Sequence, residues 1–160
     1  MLRTIILVRH AKSKKGPDYP DDFKRPLSSR GKKNAISAGE FLKKQGIMPE
    51  LIISSDAKRA KKTTKRVISA MGYNGDVVFK RDLYLEGFKA YIDVLKKLDD
   101  SIRTVMLVGH NPDLEELVYK ITGEEVIIPT AGVVRIEVDL EHWRNIEDVE
   151  GELVFLEKPR

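Results

Sequence analysis

The sequence predicts a three-layer α/β protein: a mostly parallel sheet, helices on both of its faces, and antiparallel edge strands supplied by the C-terminal tail. Three observations carry that expectation. Four short apolar, β-branched runs recur along the chain, and amphipathic helical patterns separate them. Two further strand-like runs close the tail without a crossover helix between them.

The first run, Thr4 to Val8, is long enough for one buried strand. Ser28 to Gly46 then carries a helical stripe of Ala35, Ile36, Ala38, Gly39, Phe41 and Leu42, with Ser28 placed as N-cap and Gly46 as C-cap. Leu51 to Ile53 predicts the second buried strand, and a helix from about Asp56 to Met71 stops at Gly72. Val77 to Phe79 predicts a third buried strand, followed by Phe88, Ile92, Leu95 and Leu98 at helical spacing. Thr104 to Val108 is the fourth, and a helix opening near Pro112 presents Leu114, Leu117, Val118 and Ile121. Val133 to Val138 and Leu153 to Leu156, joined through the Trp143 region, are the expected edge strands. Lys14 to Pro26, with Gly16, Pro17, Pro20 and Pro26, is the longest irregular stretch and is expected to form a mobile rim.

At 160 residues and 41% hydrophobic content, the chain is sized for a single domain spanning residues 1–160. The absence of cysteine removes disulfides and thiolate metal sites. No apolar run nears the roughly eighteen residues a membrane span needs, and the N-terminus lacks a secretory pattern, so a cytoplasmic protein with no membrane partner is expected. Lysine and arginine number 29 against 25 acidic residues, a balance that suits an anionic ligand. Lys12, Lys14 and Lys15 form one basic group, and Lys58, Arg59, Lys61, Lys62, Lys65 and Arg66 another. With aromatics at 7% and no zinc-finger or aromatic-basic RNA pattern, nucleic acid is not the expected partner. Gly31-Lys32 lacks the earlier glycine and the following hydroxyl of a nucleotide-binding loop.

Two of the three histidines directly follow buried strands, in Leu7-Val8-Arg9-His10 and Leu107-Val108-Gly109-His110. Ligands of open parallel sheets bind beyond the carboxyl ends of the strands, so both imidazoles are delivered to the usual place for chemistry. The strand Leu51 to Ile53 ends in Ser54-Ser55-Asp56 and leads to Arg59. Two guanidiniums and two imidazoles, with no carboxylate in these motifs to neutralise them, suit a phosphate dianion. One neutral imidazole can attack phosphorus while the other stabilises the equatorial oxygens. A metal is not expected beside Arg9 and Arg59, no cofactor is implied, and His142 beside Trp143 is expected to lie outside the site.

Taken together, four blocks resemble the histidine phosphatase superfamily, which is phosphoglycerate mutase-like, and within it the small SixA-type phosphohistidine phosphatases. They are Leu7 to Ser13, with Ala11 where the family's Arg-His motif carries Gly; Pro26 to Gly31; Ser54 to Thr63; and Leu107 to Pro112. Pro129-Thr130-Ala131-Gly132 also looks like the SixA branch. The resemblance implies that His10 is the phosphorylated nucleophile and that Arg9, Arg59 and His110 bind the phosphoryl group. Lys12, Ser13 and Asn111 flank these residues and are candidate substrate contacts. Many members of the superfamily place an acid after the third strand; here Glu86 and Asp82 occupy that region without matching a motif, and Glu86 is the candidate acid. The branch typically lacks a clear acid, and imidazole, with a pKa of about 6.5, leaves phosphorus more readily than an alkoxide. The expected activity is therefore metal-independent removal of phosphate from phosphohistidine in proteins. A small-molecule phosphomonoesterase and a non-catalytic phospho-recognition module remain the alternatives.

Overall fold

The computed structural model describes residues 1–160. One sheet contains six strands: β1 (Leu2–Arg9), β2 (Leu51–Ser55), β3 (Asp76–Lys80), β4 (Thr104–Gly109), β5 (Val133–Asp139) and β6 (Glu152–Glu157). Their order is β3-β2-β4-β1-β5-β6. The pairs β1–β4, β2–β4 and β2–β3 are parallel, while β5 and β6 add on antiparallel. Four helices accompany them: α1 (Ser29–Lys44), α2 (Lys58–Met71), α3 (Phe88–Lys96) and α4 (Asp113–Thr122). The predicted α/β class and the antiparallel tail strands are what the molecule forms.

Strand side chains alternate between faces with a period of two. Ile5, Leu7, Val105 and Leu107 therefore join Tyr91, Leu95, Leu114 and Leu117 of α3 and α4 in one hydrophobic layer. Ile6, Val8, Met106 and Val108 join Ala35, Leu42, Ala60 and Val67 of α1 and α2 in the other. Burial on both faces is why β1 and β4 consist of unbroken apolar runs rather than alternating ones. The Trp143–Asp148 3₁₀ segment adds Trp143 and Ile146 to the first layer.

Local chemistry sets the boundaries. The Ser28 side chain accepts a hydrogen bond from the Gly31 N–H, capping α1, and Gly46 follows the helix with φ +70°, a backbone that glycine adopts without strain. Glycine at position 31 is required by packing: a Cβ there would lie 2.0 Å from the Lys12 carbonyl oxygen, so α1 rests directly on the loop leaving β1. Two expectations need correction. The third strand was expected to be buried, but β3 pairs only with β2 and alternates exposed with half-buried residues, as an edge strand must. The second helix was expected from about Asp56, but Ala57 is extended and α2 begins at Lys58.

Candidate active site

The parallel register of β1 and β4 pairs Arg9 with Gly109, so the two chains leave the sheet side by side with a histidine next in each. The His10 N–H donates to the Gly109 carbonyl at 3.0 Å, and the imidazole centroids of His10 and His110 lie 5.2 Å apart. Ser54 of β2 pairs with Val108, which brings Ser55 to the same edge; its Oγ lies 2.7 Å from His110 Nε2. The Gly109 position is tight, since a Cβ there would meet the Tyr91 hydroxyl at 1.9 Å. That hydroxyl donates to the Leu83 carbonyl and accepts from the His110 N–H, which fixes the backbone at the end of β4.

His10 Nδ1 lies 2.8 Å from the Ala11 carbonyl, an oxygen that only accepts, so Nδ1 carries the proton and Nε2 the lone pair. Ala11 is held in turn: its N–H donates to Thr63 Oγ1, and that hydroxyl donates to the Arg59 carbonyl one turn earlier in α2. Burial lowers the His10 pKa to about 4, against the pull of the Ala11 carbonyl and with the help of the Arg59, Arg9 and Arg25 charges. Burial also lowers His110 to about 3, aided by His10, Arg59 and Arg9 and opposed by Asp22. Both rings are neutral near pH 7.

The guanidiniums are only partly occupied. Arg9 donates Nη1 to the Ile128 carbonyl at 2.9 Å, and Arg59 donates Nη1 to the Asp22 carbonyl and Nη2 to the Asp22 carboxylate at 2.7 and 3.0 Å. Buried polar atoms without a partner gather here: Arg9 Nε, Arg59 Nε, His110 Nδ1 and Asn111 Oδ1. Unsatisfied buried groups are costly and rare, and four of the five in the molecule belong to residues of this site. The two guanidinium Nε–H groups are donors suited to an anionic ligand, whereas Asn111 Oδ1 is an acceptor.

A carboxylate from outside the sequence motifs, Asp22, reaches the site. It sits on a 3₁₀ turn, Asp22–Lys24, within the stretch expected to be a mobile rim. Its carboxylate takes hydrogen bonds from Arg25 at 2.8 Å, from Arg59 and from the Tyr84 hydroxyl. Partial burial raises its pKa, but those bonds and the Arg59 charge outweigh it and hold Asp22 well below the usual carboxylate range. The stretch is thus pinned to the site, also through Arg25 Nε on the Lys14 carbonyl and a bridge between Ser13 and Leu27.

A cavity of about 530 Å³ opens at these strand ends, with no hydrophobic residue in its wall. The structure brings Arg9, His10, Lys12, Ser13, Arg59 and Asn111 together there, with His110 packed against His10. Ser13 Oγ accepts from Arg25, and Asn111 Nδ2 donates to the Ile128 carbonyl. Residues that sequence reasoning missed complete the wall: Lys15, Arg25, Arg30, Asn34, Thr130 and Lys158. Asp22 and Tyr84 were missed as well; no local pattern marks them, because a tertiary contact selects them. A larger cleft of about 1280 Å³ lies along α4 and the 3₁₀ segment Trp143–Asp148, and includes neither histidine.

Glu86 is not brought to the site. It is exposed and lines a separate cleft with Asp82, Lys89 and Asp93. The chain after β3 turns Tyr84 inward instead, its ring centroid 5.4 Å from that of His110, and Leu85 then takes φ +55°, leaving Glu86 to solvent. His142 pairs with Asp100 on the surface. No three His, Asp or Glu side chains converge as metal ligands.

Fold and family place the chain among the phosphatases. The chain belongs to the histidine phosphatase superfamily (branch 1), whose family model matches residues 5–84. An uncharacterized Mycobacterium leprae protein is 28% identical over 96% of this chain and 100% of its own length. The structure assigned as phosphohistidine phosphatase SixA of Agrobacterium tumefaciens superposes with a TM-score of 0.84 at 26% identity, covering 98% of each chain. The tungstate complex of protein histidine phosphatase SixA gives 0.85 at 19% identity, over 98% of this chain and 97% of that one.

Proposed function

We propose that this protein is a metal-independent phosphatase that passes the phosphoryl group through His10, and that its substrate is phosphohistidine in a protein. The observation that carries the mechanism is the His10 Nδ1 bond to the Ala11 carbonyl at 2.8 Å, which leaves Nε2 basic in a neutral ring. Nε2 attacks phosphorus, a P–N bond forms, and the bond to the leaving group breaks in line with it. Arg9, Arg59 and His110 hold the equatorial oxygens as charge redistributes. Water then attacks the phosphohistidine, releasing inorganic phosphate and restoring the neutral ring.

The substrate reading rests on the proton. No carboxylate lines the cavity, Asp22 is held ionised by its three donors, and Glu86 faces elsewhere. A leaving alkoxide needs an acid in place, whereas a departing imidazole, with a pKa of about 6.5, takes its proton from solvent. The phosphohistidine phosphatase names of similar structures agree with this choice.

Turnover of a phosphohistidine peptide, compared with a simple alkyl phosphate and repeated in EDTA, is the test. Wild type is expected to prefer the peptide and to ignore EDTA, and His10→Ala to abolish release from both. Substantial turnover by His10→Ala sinks the nucleophile assignment, and a preference for the alkyl phosphate sinks the substrate class. Loss in EDTA restored by a divalent ion sinks the metal-free claim.

A further inference from the structure

Four cations in the wall of the cavity have no task in the proposed phosphoryl transfer. Arg9, Arg25 and Arg59 bring three positive charges to its floor, and Asp22 removes one through its ion pairs at 2.8 and 3.0 Å. The two that remain match the dianion of a single phosphoryl group. Lys12, Lys15, Arg30 and Lys158 stand beyond that balance. No ion pair in the molecule involves any of them.

These four come from three distant parts of the chain. Lys12 and Lys15 follow β1, Arg30 lies in the first turn of α1, and Lys158 follows β6. Lys12 and Lys15 are near in sequence, but tertiary structure brings Arg30 and Lys158 to the same concavity, together with the neutral polar groups of Asn34 and Thr130. Gly31 lets α1 approach the Lys12 backbone closely, which sets Arg30 beside that loop. Like charges collected in a concave wall whose lining holds no carboxylate repel one another, and they raise the local concentration of anions.

We infer that Lys12, Lys15, Arg30 and Lys158 form a second anion subsite beside the phosphoryl pocket, so that the substrate presents a second anionic group next to its scissile phosphate. The inference rests on the proposed reading of the floor as the phosphoryl site. The shared chemistry is a phosphate or carboxylate held by lysine and arginine, and two sources supply it: an acidic side chain flanking phosphohistidine, or a second phosphate on a small molecule. Arginine favours this duty because its planar fork donates paired hydrogen bonds to such groups.

Two matched pairs of probes test the subsite: phosphohistidine peptides flanked by glutamate or by glutamine, and propanediol bisphosphate against propyl phosphate. Two contacts at the exposed mouth of a cavity together give a preference of about tenfold in kcat/KM, about 1.4 kcal/mol, for the doubly anionic member of at least one pair. The pair that shows the preference identifies the source. In the Arg30→Ser/Lys158→Ser variant, which keeps Lys12 and Lys15, that ratio falls to about threefold or less. Equal kcat/KM within both pairs for wild type overturns the subsite, as does a preference that is undiminished in the double variant. Should wild type hydrolyse none of the four probes, the phosphatase reading fails separately. The subsite is then decided by calorimetric binding of methylenediphosphonate against methylphosphonate: tighter diphosphonate binding that the double variant loses upholds it, and equal binding overturns it.

Discussion

Two neutral histidines buried among arginines make stability depend on pH in a direction that can be worked out. Native His10 and His110 have pKa values lowered to about 4 and about 3, while in the unfolded chain both return to about 6.5. Between those limits the unfolded state takes up protons that the native state refuses, so stability is lost as pH falls through 6.5. From about pH 7.5 to 5.5, each unfolded-state histidine gains nearly a full proton, which amounts to about 1 kcal/mol per residue and about 2 to 3 kcal/mol for the pair. That sum depends little on how low the native values lie. Asp22 acts in the same sense but at lower pH: its depressed pKa adds stability above its unfolded pKa, and that contribution is lost only as pH falls below about 4. Urea unfolding at the two pH values is the assay, with His10→Gln/His110→Gln as reference; His142 stays in both proteins and its contribution cancels. Wild type should lose about 1 M more in urea midpoint than the double variant. Equal losses in the two proteins would refute the claim that both rings are held neutral.

Other consequences follow from single contacts. Asp22→Asn removes the charged acceptor of Arg59 and Arg25; kcat should fall about tenfold as Arg59 loses its alignment, and inhibition by inorganic phosphate should tighten as a negative charge leaves the site. If kcat and the phosphate inhibition constant both stay at wild-type values, Asp22 does not act through those arginines. Gly109→Ala drives a methyl group into the Tyr91 hydroxyl and disturbs its two hydrogen bonds, so about 3 kcal/mol of stability should be lost in denaturant unfolding. Glu86→Gln, distant from the pocket, should leave kcat/KM on phosphohistidine peptide and on alkyl phosphate within about twofold of wild type; a large selective loss on the alkyl phosphate would restore its role as acid.

What could be read from the chain, and what could not, divides along one physical line. The buried strands were legible because burial on both faces demands continuous apolar β-branched runs, and the histidines because each follows such a run directly. The burial of β3 was misjudged, since an edge strand of five residues and a central one share an apolar composition and differ only in what pairs with them. Asp22, Arg25 and Lys158 carried no signal. Their side chains reach the pocket through the path of irregular backbone and the end of β6, and nothing in their local sequence distinguishes them from solvated surface charges.

The same division explains why the core of the site could be trusted before its rim. Neighbouring strands of a sheet lie roughly 4.7–4.9 Å apart. The imidazole centroids of His10 and His110 lie 5.2 Å apart, nearly that spacing, because the ladder pairing Arg9 with Gly109 delivers them. The strand ends that carry the proposed nucleophile and stabiliser are therefore set side by side by backbone hydrogen bonds that any sequence forming these two strands would make. The rim has no such template. Its outer charges, such as Lys15 and Lys158, take part in no ion pair and are each exchangeable by one substitution, so the same small fold can vary its substrates there without disturbing the chemistry beneath.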